Sequence, residues 1–215
     1  PVLFYVYGMP AGQTVLDRWG GDRHLFHHLL TQRGYVVVSV DNRGTPAPRG
    51  RDFRRIIYLR HGVLPAADQS AAVRALEARW PWMDPSRVGI YGWSGGGNVS
   101  MNAIFRHPDL YKTAMSIAPV PNERYYDTIY QERYMGLPGD NVEGYVLTRE
   151  LLEAALEGDG FPAIALTHPQ HTEIKGGEQG NVAGEDAVLG AYRLIRRRDL
   201  GPPDADSTSG DPEPR

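Results

Sequence analysis

The sequence predicts an α/β protein, a mostly parallel sheet with helices on both faces. Three observations carry that prediction. Short apolar runs rich in Val, Ile and Tyr alternate with amphipathic stretches along the chain, beginning at Val2. Glycine and proline clusters separate the two kinds of segment. One apolar run, Arg87–Tyr91, passes through Gly92-Trp93-Ser94-Gly95-Gly96 straight into a segment with helical character. No internal repeat is visible.

Val2–Tyr7 reads as the first strand, and Gly8-Met9-Pro10-Ala11-Gly12 closes it in a turn. Leu25–Gln32 has helical periodicity and stops at Arg33-Gly34, and Tyr35–Val40 is a dense β-branched strand. Asp41-Asn42-Arg43-Gly44-Thr45 follows as a loop. Asp68–Arg79 is an amphipathic helix with Ala71, Ala72, Val73, Leu76 and Ala78 on or near one face. Val88–Tyr91 is a buried strand, Gly97–Phe105 a helix, and Ala114–Ile117 another strand. Beyond Pro138 the expected elements are a helix over Leu151–Leu156, a strand over Phe161–Thr167 and a helix over Val188–Arg198 with basic residues at its C-terminal end. The Pro-, Asp-, Ser- and Gly-rich segment from Gly201 reads as disordered.

The chain has 215 residues and a formal net charge of −3, which suits one domain with a short appendage. Near-balanced charge gives no electrostatic case for nucleic acid or an anionic membrane surface. No run of eighteen apolar residues is present, so no membrane span is expected. With no cysteine, disulfides and thiolate metal sites are excluded and the redox compartment stays open. Pro1 leads directly into a strand, so the sequence reads as one that begins inside its fold.

Gly92-Trp93-Ser94-Gly95-Gly96 lies between a strand and a helix, the context in which a Gly-x-Ser-x-Gly pattern marks a nucleophile elbow. The glycines permit a sharp turn where any bulk would clash with the adjoining strand and helix. The helix N-terminus behind Ser94 offers backbone N–H groups and a positive dipole end where an oxyanion would form. A phosphate-binding loop fits less well, because no Lys-Ser or Lys-Thr follows the glycines. Ser94 is therefore the candidate nucleophile. His24, His27 and His28 could share one helical face as metal ligands, but with no His-Glu-x-x-His pattern they read as a solvated face.

Four stretches carry a family resemblance: Tyr7-Gly8-Met9-Pro10, Asp41-Asn42-Arg43-Gly44, Gly92-Trp93-Ser94-Gly95-Gly96, and the run from Tyr126-Asp127-Thr128-Ile129-Tyr130 to Gly136-Leu137-Pro138. With these the chain resembles the catalytic domain of prolyl oligopeptidase-type serine peptidases, in the dipeptidyl peptidase IV-like branch, over residues 1–138 and in fragments after that. The resemblance implies an α/β-hydrolase fold over 1–200 and a peptide substrate, with no cofactor and no metal, and it leaves a homodimer open. The family's β-propeller, which gates the site and anchors the substrate's free amine, lies outside this sequence.

By the same resemblance, Tyr7 donates its phenolic O–H to the oxyanion together with the backbone N–H of Gly95. Met9 departs from the glycine usual at its position. Tyr126 and Tyr130, spaced i, i+4, would share a helical face and wall the pocket for the residue before the scissile bond. Trp93, Val120 and Asn141 are assigned to the same pocket. Two aromatic walls make a slot for a compact pyrrolidine ring.

The fold's chain order is nucleophile, acid, histidine. His168 and His171 lie after Ser94 at the end of an expected strand, in Thr167-His168-Pro169-Gln170-His171. The family pattern of strand, Pro and then His points to His171 as the base, with His168 capping the strand. Gly139-Asp140-Asn141-Val142 follows Pro138 at once, where the family has a further helix, a strand and an acidic loop. Roughly thirty residues, including one sheet strand near 138–140, are expected to be missing. The alignment puts Gly139 at the catalytic acid's position and Asp140 beside it, which makes Asp140 the one candidate acid. Two readings follow: a serine exopeptidase releasing short N-terminal peptides after Pro or Ala through an acyl-enzyme on Ser94, or an impaired hydrolase-fold protein with a broken triad. An esterase on the same fold would leave the Tyr-rich pocket unexplained.

Overall fold

A computed structural model describes residues 1–120 and 122–145 and the backbone of the strand at 163–166. Five parallel strands form one sheet in the order β2-β1-β3-β4-β5. They are β1 (Val2–Tyr5), β2 (Val36–Ser39), β3 (Val88–Trp93), β4 (Thr113–Ile117) and β5 (Ala163–Leu166). The helices are α1 (Asp22–Gln32), α2 (Arg51–Arg55), α3 (Leu64–Arg79), α4 (Gly95–Arg106) and α5 (Thr128–Met135). The expected α/β class and parallel sheet are thus what the chain forms.

The two sheet faces separate by strand parity. Val2, Phe4 and Val6 of the first strand segment, with Val88 and Ile90 of β3, pack into one buried cluster with Val73 of α3 and Val99, Ala103 and Ile104 of α4. On the opposite face, the Tyr5 ring lies 5.3 Å from His27 and 5.1 Å from Tyr91, and Phe26 of α1 meets Tyr91 edge-on. The His27 ring nitrogen bonds the Tyr91 hydroxyl and Arg23 bonds the Tyr5 hydroxyl. Side chains alternate across the sheet, so one run of apolar residues serves both layers.

Several boundaries differ from the sequence expectation. β1 ends at Tyr5, although Val6 N–H still donates to Tyr91 O at 3.0 Å. α3 begins a turn earlier than Asp68, and its buried positions are Pro65, Ala66, Gln69, Ser70 and Val73, while Ala71 and Ala78 are exposed. The buried polar pair explains why apolar periodicity misplaced that face. Gln69 Nε2 donates to Val40 O at 2.7 Å and Asn42 Oδ1 at 3.1 Å, and Ser70 Oγ donates back to Ala66 O at 2.8 Å. The short α2 was not anticipated. Leu137–Asp140 closes as a turn, with Asp140 N–H donating to Leu137 O at 3.0 Å, and residues 142–145 are helical. β5 pairs directly with β4. The expected helices over Leu151–Leu156 and Val188–Arg198, the ends of the strand expected over Phe161–Thr167, and the tail from Gly201 lie outside the described residues. Among the described residues no helix is long and apolar enough to cross a membrane.

Helix α4 enters the sheet at its closest point of approach. A Cβ on Gly96 would fall inside contact distance of the Val6 carbonyl oxygen and 3.1 Å from Tyr7 Cα. Gly→Ala within a helix ordinarily stabilises by about 0.5–1 kcal/mol. Here the obstacle is backbone, so Gly96→Ala should instead lose about 2 kcal/mol or more in urea unfolding. Gly139→Ala, which meets nothing within 4 Å, should stay within about 0.5 kcal/mol of the parent.

Candidate active site

Ser94 sits at the N-cap of α4 with φ 54° and ψ −117°, a left-handed backbone that a side-chain-bearing residue adopts only under constraint. Three contacts impose it. Ser94 N–H donates to Ile117 O at 2.8 Å, tying the turn to the end of β4. Gly92 and Gly96 both face the Val6 carbonyl, leaving no room for a Cβ at either. A Cβ on Gly97 would come within 2.9 Å of Ile117 O. The strained residue is therefore held by strands on both sides, and the first N–H groups of α4 lie directly behind it.

Tyr7 follows β1 and reaches the same place. A Cβ on Gly95 would lie 3.6 Å from Tyr7 Cζ and 2.6 Å from Met9 Cγ. The side chain of Met9, the residue that departs from the family turn, thus occupies the space that a larger residue at 95 would need. The turn itself is fixed from below: Gly8 has φ 76°, and Asn42 Nδ2 donates to Gly8 O at 2.9 Å. Asp41 accepts from Thr14 N–H and hydroxyl at 2.7 and 2.8 Å, and Arg43 makes a forked pair with Asp68. The Asp41–Gly44 motif is therefore a brace for the turn that carries Tyr7. Burial, then neighbouring tyrosines, push the Tyr7 phenol up, so it stays a neutral donor at physiological pH.

A cleft of about 220 Å³ joins these groups, lined by Tyr7, Met9, Ser94, Gly95, Val120, Tyr126 and Tyr130 among others. Tyr126 and Tyr130 do not share a helical face as the spacing suggested. Tyr126 ends the short 3₁₀ turn Glu123–Tyr125, and α5 starts only at Thr128, capped by Asp127, whose carboxylate accepts from Tyr130 N–H at 2.7 Å. The two rings nevertheless meet, edge to face, at 6.0 Å. Trp93 is 48% exposed and does not line this cleft. Asn141 is also outside it, donating to Met135 O at 2.9 Å and Leu59 O at 3.3 Å and accepting from Gly144 N–H. Asp140 is exposed in the turn after α5. His168 and His171 lie outside the described residues. His24, His27 and His28 do not converge: His24 stacks on Trp19, His27 meets Tyr91, and no group of three metal-ligating side chains occurs among the described residues.

Sequence reasoning missed two ionisable cleft residues, His61 and Glu123. His61 is 1% exposed and Glu123 4%, with His61 Nδ1 3.7 Å from Glu123 Oε1. Asn98 Nδ2 donates to that same oxygen at 3.2 Å, and Gln131 Nε2 donates to the Glu123 backbone carbonyl at 3.4 Å. Burial pushes Glu123 up to about 7, partly countered by the Gln131 and Asn98 amides, and drives His61 down to about 4. At neutral pH the pair is thus no ordinary ion pair, because the imidazole is uncharged. No motif marks His61 within Arg60-His61-Gly62, and Glu123 lies just ahead of the Tyr-rich run whose pattern was informative.

Fold and site together define an α/β-hydrolase fold with a strained serine where β3 turns into α4. The sequence pattern of the prolyl oligopeptidase family matches residues 24–154, more than half of the chain. The chain belongs to the prolyl oligopeptidase family, and so to the serine peptidase class of hydrolases. It is 37% identical over 163 residues to human dipeptidyl peptidase 8, covering 76% of this chain and 18% of that protein, and 36% identical over the same length to the mouse protein. The crystal structure of Porphyromonas gingivalis dipeptidyl peptidase 4 superposes with a TM-score of 0.74 at 34% identity, covering 89% of this chain and 26% of that one. The chain therefore spans about a fifth to a quarter of these relatives' lengths.

The buried pair predicts a stability profile. Ordinary values are 4.5 for the carboxyl and 6.5 for the imidazole. Between about 4.5 and 6.5 the folded pair holds one proton, on Glu123, and the unfolded pair also holds one, on the histidine, so the pair adds no slope. From about 6.5 to 7 only the folded pair keeps a proton, and stability falls as pH rises. From about 4.5 to 4 the unfolded pair holds two and the folded pair one, and stability falls as pH falls. Urea unfolding across pH should show this, and Glu123→Gln should flatten the fall above 6.5.

Proposed function

We propose that this chain is the catalytic core of a serine exopeptidase that releases short N-terminal peptides by acylation of Ser94. The observation that carries the reading is the strained Ser94 opening onto one cleft with Tyr7, Val120, Tyr126 and Tyr130. In the proposed step, Ser94 Oγ forms a bond to the scissile carbonyl carbon while its proton passes to the base, assigned to His171. The carbonyl oxygen, now negative, is met by the Tyr7 O–H and the Gly95 N–H. The C–N bond then breaks and the leaving amine takes the proton from the base. Water repeats the sequence to free the acyl product. Asp140 is assigned as the acid orienting His171. Dipeptide release is the activity named in the relatives cited above, and the compact aromatic slot supports Pro, then Ala, as the residue before the cut.

A second reading, an impaired hydrolase, draws on the exposure of Asp140 in its turn and on the direct β4–β5 pairing. A histidine deprived of its carboxylate loses about 10⁴ in kcat.

In the intact protein, a fluorophosphonate probe should label one serine stoichiometrically, and Ser94→Ala should abolish labelling; a folded but unlabelled protein would overturn the acylation reading. Among chromogenic dipeptide amides, Pro and Ala should be cleaved in preference to Phe or Lys. Tyr7→Phe should lower kcat by about 10²–10³ with little change in KM, because its donor acts on the developing oxyanion. A thousandfold loss in Asp140→Asn would assign the acid, whereas a small loss would favour the impaired reading.

A further inference from the structure

The Glu123–His61 pair is more than buried ballast beside the cleft. Both side chains line the same cleft as Ser94 and Tyr7. Glu123 Oε1 is engaged by the Asn98 amide, yet Glu123 Oε2 and His61 Nε2 are buried with no hydrogen-bond partner among the described residues. Buried polar atoms are ordinarily paired, and leaving one unpaired is costly in a low-dielectric interior. One of these atoms is a carboxyl oxygen able to accept, and the other is a ring nitrogen whose role follows its tautomer. The rings of Tyr130 and Tyr134 pack on His61, at 6.0 and 5.8 Å, and hold the imidazole in place. Pairing both atoms from the cleft side with one small group calls for a group that can donate and accept at once.

A hydroxyl has that property; a methylene or methyl does not. We propose that Glu123 and His61 form a polar subsite of the cleft that takes the side-chain hydroxyl of the substrate residue before the scissile bond. This makes Glu123 a specificity-determining residue and rests on the reading of the cleft as the substrate pocket. The substrate class is then narrower than compact residues in general. Of two residues that differ only by a hydroxyl, the hydroxylated one is selected: Ser over Ala, and 4-hydroxyproline over Pro. A site built to bond a substrate hydroxyl discriminates strongly against the analogue without it, because its own buried groups are then left unpaired.

The test uses the intact protein and two matched pairs of dipeptide amides, Ala-Ser against Ala-Ala and Ala-hydroxyproline against Ala-Pro. Expected is a kcat/KM ratio of about ten to a hundred in favour of the hydroxylated member of at least one pair. Glu123→Leu should bring the ratio near one, Glu123→Gln should keep part of it through its carbonyl acceptor, and His61→Leu should reduce it independently. Ratios near one in the wild type, with Pro and Ala amides turned over, would overturn the subsite and leave the peptidase reading standing. Were no amide cleaved and Ser94 unlabelled, the peptidase reading would fail instead. Calorimetric binding of the matched free dipeptides to Ser94→Ala then decides the subsite without turnover. Tighter binding of the hydroxylated peptides supports it, and equal affinity or no binding of either, water serving the two atoms, overturns it.

Discussion

The close approach of the Val6 carbonyl to Gly92 and Gly96 is the constraint on which this structure turns. β1 and β3 run parallel and in register, so the end of β1 passes directly beneath the point where β3 gives way to α4. Only glycine leaves space there, and the space it leaves is what allows α4 to start immediately after Ser94. The positive φ of Ser94 is then a geometric necessity: the chain must reverse within a single residue. Strain stored at that residue is balanced by the buried cluster that α4 forms with the sheet, through Val99, Ala103 and Ile104.

The same approach aligns the groups around the serine. Because β1 abuts the elbow, the residue just past it, Tyr7, arrives beside Gly95 without a long loop. The turn after Tyr7 needs a positive φ at Gly8 and gets its rigidity from Asn42, which is in turn held by Gln69 of α3. A chain of hydrogen bonds thus links helix α3 and the loop after β2 to Gly8, the residue next to the candidate oxyanion donor. Gln69, buried in α3, serves this brace, and Ser70 beside it bonds back to Ala66 O, which is why that helix departs from a simple apolar stripe. Across the cleft, Asp127 caps α5 and thereby sets where the Tyr130 ring projects.

The Glu123–His61 pair illustrates a different economy. A carboxylate and an imidazole buried side by side would ordinarily be expected to ionise together, but here desolvation opposes both charges. The result is an uncharged imidazole beside a carboxyl that holds its proton up to about pH 7, both in the wall of the cleft.

The alternation of strands and helices, the elbow around Ser94 and the family motifs were legible in the sequence, because each rests on local rules. Side-chain alternation, glycine punctuation and a Gly-x-Ser-x-Gly between strand and helix need no knowledge of distant neighbours. The start of α3 and its buried Gln69 and Ser70 were not legible, since polar residues interrupt the apolar signal there: Gln69 bonds to the loop after β2, far away in sequence, and Ser70 bonds back to Ala66 within the helix. Helical spacing brought Tyr126 and Tyr130 together on paper, yet their rings meet from a 3₁₀ turn and a separate helix, by tertiary placement. His61 and Glu123 are 62 positions apart in the chain and carry no pattern. Only the folding of the segment before α3 against the turn before α5 makes them neighbours. Local sequence determined which backbone shapes this chain takes and where its strained serine stands; the tertiary structure decided which buried polar groups share a cleft with that serine, because burial and proximity are properties of the packed chain alone.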